Sequence, residues 1–249
     1  MGKGSGLGDG FFWGGYDLSG EVNALSKVSS PLGTLDVTPI NVKAHVRIGG
    51  QRDGAIDFAT FFDPTANHSH PVLAALPRTD VVACYFAGGQ AIGNAAACMV
   101  AKQVDYNATR GNDGMLSSTV SSVANSYGLD WGDQLTAGLR TDTSATNGAS
   151  RDFGTSTSFG FQMYLQVTAF TGTDVTVKLQ DSADNVTFAD LASGAFVQTT
   201  AAHTAQRVAV GGTATVRRYV RASTVTSGGF SSVTFAVALA KNAVQTVVF

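Results

Sequence analysis

The sequence predicts a mainly β protein, of antiparallel sandwich or barrel type with one short helix. Three observations carry that prediction. Glu21 is the only glutamate against seventeen aspartates, and there are six lysines; Glu and Lys fill exposed helix faces, so their scarcity argues against much helix. The surplus lies in Val, Thr and Phe, which favour strands, and in Gly and Ser, which favour turns. After Phe161 the chain alternates with period two: Phe161, Met163, Leu165, Val167 and Ala169 are interleaved with Gln162, Tyr164, Gln166 and Thr168.

A chain of 249 residues is long enough to bury a core. Its net charge of −2 and low charged fraction (14%) exclude a strongly basic nucleic-acid binder. No apolar run is long enough to span a bilayer. The opening Met1-Gly2-Lys3-Gly4-Ser5-Gly6 lacks the apolar run and cleavage site of a signal peptide, and Ser5 falls one place short of a myristoylation pattern. Synthesis in the cytoplasm as a soluble protein is the expectation.

Residues 1–15 read as a flexible arm, rich in glycine, whose aromatic tip Phe11-Phe12-Trp13 docks on a neighbouring subunit or on its own domain. A β domain with long loops is expected over 16–158 and a C-terminal β-sandwich over 159–249. Asn23–Leu35 is polar and small. From Asn41 to Ile48, Val42, Ala44, Val46 and Ile48 alternate with Asn41, Lys43, His45 and Arg47, which predicts a half-buried strand with a basic outer face. Gly49–Gly54 then reads as a turn into a second strand over 55–62, with Ile56 and Phe58 inward. Ser69 is a candidate cap for a helix over 70–76 that Pro77 stops. Val81–Phe86 and Ala95–Val104 flank a Gly-rich turn as a hairpin. Residues 105–160 are least legible, with strands expected around Val120 and Leu135–Leu139 and a long loop over 141–158. Strands follow at 175–179, 207–210, 216–222 and 233–239, with Val244–Phe249 as a last strand or arm.

No catalytic residue is assigned, because nucleophile and phosphate-loop signatures are missing. His68 and His70 have metal-pair spacing near Asp63, but no third nitrogen or thiolate is in register, so neither metal nor cofactor is expected. Cys84 and Cys98 sit opposite across the predicted hairpin and are read as two buried thiols, a disulfide being the alternative. Asp181-Ser182-Ala183-Asp184-Asn185 opens like a calcium loop without its glycine and glutamate, and is read as a turn. Arg217, Tyr219 and Arg221 alternate onto one face, a strip suited to pairing with aspartates of another subunit.

Tyr16-Asp17-Leu18-Ser19-Gly20 with Asn23, and then Phe61-Phe62-Asp63-Pro64, resembles the opening of tail tube (major tail) proteins of long-tailed, siphovirus-like bacteriophages. Val175–Ser182 with Asp184 and Phe188, and Arg217–Arg221, resemble the C-terminal half of such proteins. The matches touch about half the chain, and residues 105–160 have no counterpart. The resemblance implies a β-sandwich flanked by a helix, polymerising as stacked, usually hexameric rings. Inner strands join as a barrel around a lumen through which DNA passes without specific binding. Self-association is then the main contact, with tape-measure and tail terminator or tip proteins as further partners, no membrane, and the virion tail as location. Assembly would fall to Phe11, Phe12, Trp13, Tyr16, Asp17, the loop tip Gln51-Arg52-Asp53, and Arg217, Tyr219 and Arg221. Deleting residues 1–13 is expected to block assembly and spare the fold. Two other readings stand beside this one. One is a capsid decoration or collar protein; the other is a carbohydrate-binding module with Trp13, Trp131, Tyr164 and Tyr219 as stacking platforms.

Overall fold

The computed structural model describes residues 5–76 and 79–244. Residues 1–4 of the expected arm, the Pro77 helix stop and all of the expected last strand except Val244 lie outside them. In chain order the first half runs β1 (Gly10–Trp13), β2 (Tyr16–Asp17), β3 (Val22–Ser29), β4 (Leu32–Asp36), β5 (Arg47–Arg52), β6 (Ala55–Phe61), α1 (Ser69–Ala74), β7 (Val81–Phe86), β8 (Ala95–Arg110) and β9 (Leu116–Ala124). There follow β10 (Asp130–Gln134), β11 (Arg140–Asp142), β12 (Asn147–Asp152), β13 (Phe161–Gly172), β14 (Thr176–Ser182), β15 (Ala189–Ala195), β16 (Thr204–Val210), β17 (Tyr219–Val225) and β18 (Phe230–Lys241). The protein is mainly antiparallel β with one short helix among the described residues.

One twelve-stranded sheet organises the molecule, in the order β16-β13-β18-β10-β8-β7-β1-β2. The long strand β8 joins its two limbs. Residues 96–101 of β8 pair with β7, and 95–98 with β10 on the other side; from Ala101 onward β8 pairs with β9, which leads to β6 and β3. The sheet curls at β8, so that β1 faces β6 and the Phe11 and Phe58 rings lie 4.5 Å apart. A four-stranded sheet, β12-β17-β14-β15, packs on the other end.

Three cores follow from side-chain alternation. Phe11 and Trp13 of β1 point into the first with Ile56, Phe58, Met99 and Val120, and Leu73 of α1 closes it. Phe12, between them, points the opposite way to Cys84, Cys98, Tyr164 and Ala236. On β13, Phe161, Met163, Leu165 and Val167 face the four-stranded sheet, while Tyr164 faces the middle core. Residues 161–167 are therefore buried without a break, as in a strand covered on both sides. The interleaved glutamines are inside as well: Gln162 and Gln166 are 1% exposed, and Gln166 accepts the Gly15 N–H at 2.7 Å and donates to the Val82 carbonyl at 2.9 Å.

The structure corrects several expectations. The aromatic tip of the N-terminal arm is core: Phe11, Phe12 and Trp13 are 2%, 0% and 1% exposed, and β1 pairs with β7. Burying such side chains contributes about 1.5–3 kcal/mol each, so deletion of residues 1–13 removes the fold rather than a joint. Residues 41–46 form no strand, and β6 pairs with β3 and β9 rather than with the Asn41–Ile48 run. The alternating Val42, Val46 and Ile48 are exposed, because nothing among the described residues covers that face. Asn23–Leu35, polar and small in sequence, carries most of β3 and β4. Leu135–Leu139 links β10 to β11, and the expected loop over 141–158 contains β12. Ser69 begins α1 instead of capping it; its hydroxyl donates to the Phe61 carbonyl and accepts the Asp63 N–H. The expected division after residue 158 is no break in hydrogen bonding, since β10 pairs with both β8 and β18. The hairpin of β7 and β8 is as expected, with Cys84 opposite Cys98, both buried and free.

Candidate assembly surface

The segment that stands apart from these cores is the two-stranded sheet of β4 and β5. A lone hairpin is marginal in water unless a face is covered. Here β4 is exposed throughout, and in β5 only Arg52 is partly covered. The exposed side chains are large and apolar: Leu32, Leu35, Val37, Val42, Val46 and Ile48 are 41–59% exposed, and Ile40 is fully so. Seven such residues on one projection concentrate exposed apolar side chains, as interaction surfaces do.

Local polar contacts shape the projection. Asp36 accepts the Thr38 N–H at 3.0 Å and the Thr38 hydroxyl, and lies 2.8 Å from His45 Nδ1. The Thr38 hydroxyl oxygen accepts the Val46 N–H at 2.8 Å, which ties the two arms together beyond the strands. The Thr38 hydroxyl, then its N–H, hold the Asp36 carboxyl below the usual carboxylate range, with His45 adding to this.

The base is wired into the barrel. Arg52 donates from Nη2 to Asp130 Oδ1 at 2.9 Å and to the Leu129 carbonyl at 3.2 Å. Asp130 is 6% exposed, and its Oδ2 accepts the Tyr164 hydroxyl proton at 2.5 Å. Arg207 donates to the same Tyr164 oxygen at 3.1 Å and lies 3.8 Å from the Tyr127 ring centroid. Burial first, then the Asp130 charge, push the Tyr164 hydroxyl well above its ordinary value. A buried carboxylate is tolerated when cations and donors surround it, and this one has both. Between the projection and the 124–128 segment lies an open groove of about 1170 Å³ lined by Leu32, Leu35, Gln51, Arg52 and Tyr127.

The residues singled out from the sequence are thereby scattered. Gln51, Arg52 and Asp53 sit at the foot of the projection rather than its tip, which is residues 37–46. Tyr16 stacks on His203 at 4.1 Å, and Asp17 orders the turn by accepting the Ser19 N–H at 3.0 Å. The arginines of the strip and its neighbour Arg218 have partners within the chain. Arg217 donates its N–H to Asp181 at 2.8 Å, and Arg218 pairs with Asp152 through two bonds of 2.8 and 2.7 Å. Arg218 also lies over Tyr219, while Arg221 bonds Gln180 and lies over Phe188. Trp13 and Tyr164, 1% exposed each, cannot stack on a ligand; Trp131, half exposed, lines an open groove of about 540 Å³ with Phe153 and Phe159. Asp181–Asn185 closes as a turn, in which Asp184 accepts the N–H groups of Val186 and Thr187. His70 bonds the Tyr106 hydroxyl at 2.7 Å, so the His68 and His70 pair does not converge.

Sequence reasoning missed Asp130, Arg207 and Glu21. Their only signal was charge inside weakly patterned segments, and a charge alone does not reveal that it will be enclosed. Burial, with Cys84 beside it, raises the Cys98 thiol and keeps it protonated. Among the described residues no helix is long and apolar enough to cross a membrane.

No family model matches the chain, and no curated protein does. Solved structures with a related outline include a chain from a structure described as the virion of a native gene transfer agent particle. It is 12% identical, with a TM-score of 0.41, and the match covers 52% of this chain and 98% of that one. A chain from the tail of an empty gene transfer agent particle, refined with C6 symmetry, is 14% identical at a TM-score of 0.40, covering 53% and 98%. The SPP1 Dit protein, described as a hub adsorption apparatus in phages infecting Gram-positive hosts, is 14% identical at 0.31, covering 93% and 98%. Superpositions this loose leave the role of the chain to its own sequence and geometry.

Proposed function

We propose that this chain is a structural subunit of a bacteriophage virion, without catalytic activity, and within the virion a subunit of the tail tube. The observation that carries the proposal is the β4–β5 projection: a hairpin that leaves seven large apolar side chains in water and is fastened at its base to a buried charge cluster. A monomer gains nothing from such an element, whereas a ring-and-stack assembly covers it on the neighbouring subunit. The sequence resemblance to tail tube proteins supports the same reading and supplies the remaining parts. Copies of this chain form hexameric rings, the rings stack, tape-measure and terminator or tip proteins bound the stack, and DNA crosses the lumen. A net charge of −2 suits a conduit that does not hold phosphates.

The test is to replace residues 37–46 by a short Gly-Ser turn and compare the two proteins by negative-stain microscopy and light scattering. Wild type is expected to form rings or tubes of uniform diameter, and the variant to stay monomeric with an unchanged far-UV spectrum. A wild-type protein that remains monomeric at high concentration, or a variant that assembles like wild type, overturns the proposal.

A further inference from the structure

The sequence pair His68 and His70 proved not to converge, but His68 meets two carboxylates instead. Glu21 lies just before β3, Asp63 just after β6, and His68 just before α1. Glu21 Oε1, Asp63 Oδ2 and His68 Nδ1 all fall within 4.8 Å of one another, the one such group among the described residues. We propose that Glu21, Asp63 and His68 bind a divalent first-row transition-metal ion, with zinc the best match.

The geometry is that of a ligand face. His68 Nδ1 is 2.5 Å from Glu21 Oε1 and 3.2 Å from Asp63 Oδ2. Donors bonded to one ion at about 2.1 Å stand roughly 3.0–3.4 Å apart, so small side-chain shifts admit the ion. Each carboxylate presents a single oxygen to the centre because the other is engaged by backbone. Glu21 Oε2 accepts the Ser69 N–H at 2.5 Å, and Asp63 Oδ1 accepts the Thr65 N–H at 2.8 Å. Outer contacts of this kind orient ligands and strengthen metal binding. Glu21 is mostly buried (side chain 12% exposed), while Asp63 and His68 are 34% and 45% exposed, which leaves an open side for water ligands.

The donor set also discriminates. One imidazole nitrogen with two carboxylate oxygens suits zinc, whereas calcium requires six or more oxygens and gains little from a nitrogen. Binding would tie the start of α1 to the adjoining ends of β3 and β6, which already pair at Val22 and Thr60. Free zinc is the probe, and the site stands or falls independently of assembly.

Calorimetric titration of the full chain with zinc chloride, and with calcium chloride in parallel, reads the site. One saturable zinc site is expected, with calcium at least tenfold weaker. D63N and H68Q are each expected to weaken zinc by tenfold or more, whereas H70Q and D36N leave it unchanged. Cobalt in place of zinc gives a visible absorption band that reports nitrogen and oxygen ligation in the wild-type protein, so the result does not depend on any variant folding. Absence of both saturable zinc binding and the cobalt band overturns the proposal, as does zinc affinity that survives H68Q in a folded protein.

Discussion

At the scale of single residues, the surface of the C-terminal sandwich is held by aspartates set against arginines and backbone N–H groups. Asp152 shows the effect most clearly. Arg218 first, then the Gly154 N–H, hold its carboxyl down to about 2 from an ordinary 3.8. A carboxylate with a lowered folded-state value stabilises the fold fully above the unfolded value and loses that contribution as pH falls toward the folded one. Urea unfolding of wild type and D152N should therefore differ at pH 6 and converge as pH drops from about 4 toward 2. The gap will be modest, because the pair is open to solvent. A constant gap across that range counts against the assignment. Nearby Arg217, Tyr219 and Arg221 were read from the sequence as one face for an inter-subunit contact. Arg217 and Arg218 precede β17, and alternation within one segment could not show that Asp181 on β14 and Asp152 on β12 lie beside them.

Among the elements, the β4–β5 projection differs from every other strand pair in what holds it. It has polar ties at the tip and an ionic tie at the base, and its apolar side chains find no cover among the described residues. Replacing Asp36 by Ala removes the acceptor that Thr38 uses. Amide exchange of Thr38 and Val46 should then quicken markedly, with the unfolding midpoint of the barrel unchanged, since local opening does not draw on the global core. Protection retained in D36A would mean that the tip is held by something else. The sequence pattern around Val42 to Ile48 was real, yet the strand expected from it lies elsewhere. Period-two alternation records that one face is to be covered, and is silent on whether the cover comes from the same chain. β1 is the opposite case: three consecutive aromatics after a glycine-rich lead looked detachable, but each alternate ring fills a different core.

For the whole molecule, closure of the curled sheet is the central event. The sheet turns until β13 lies against β7 and β2, and the seam is made by Gly15 and Tyr16 against Gln166 and His203. Gly15 has φ +86°, and a Cβ there would come within 2.4 Å of the His203 carbonyl carbon. Gly15→Ala combines a left-handed backbone with a clash that the seam cannot relieve locally, and a loss of about 2 kcal/mol or more is expected from urea unfolding. A loss under half that would show that the seam opens without cost to the barrel. From the sequence, this glycine was one among 29. Its role depends on a strand and a loop about 150 or more residues away, and no local signal encodes that distance.

The sequence by itself determined the class of fold, most of the strands after Phe161 though not β15, the β7–β8 hairpin and its facing cysteines, because period, turn residues and propensity act over a few neighbouring positions. Tertiary structure alone decided which faces are covered. It enclosed Phe11 to Trp13, exposed Val42 to Ile48, ran one sheet across the expected domain division, and brought Glu21 to Asp63 and His68. Burial and convergence are properties of segments distant in the chain, and they are set by how the sheet curls rather than by what any one segment prefers.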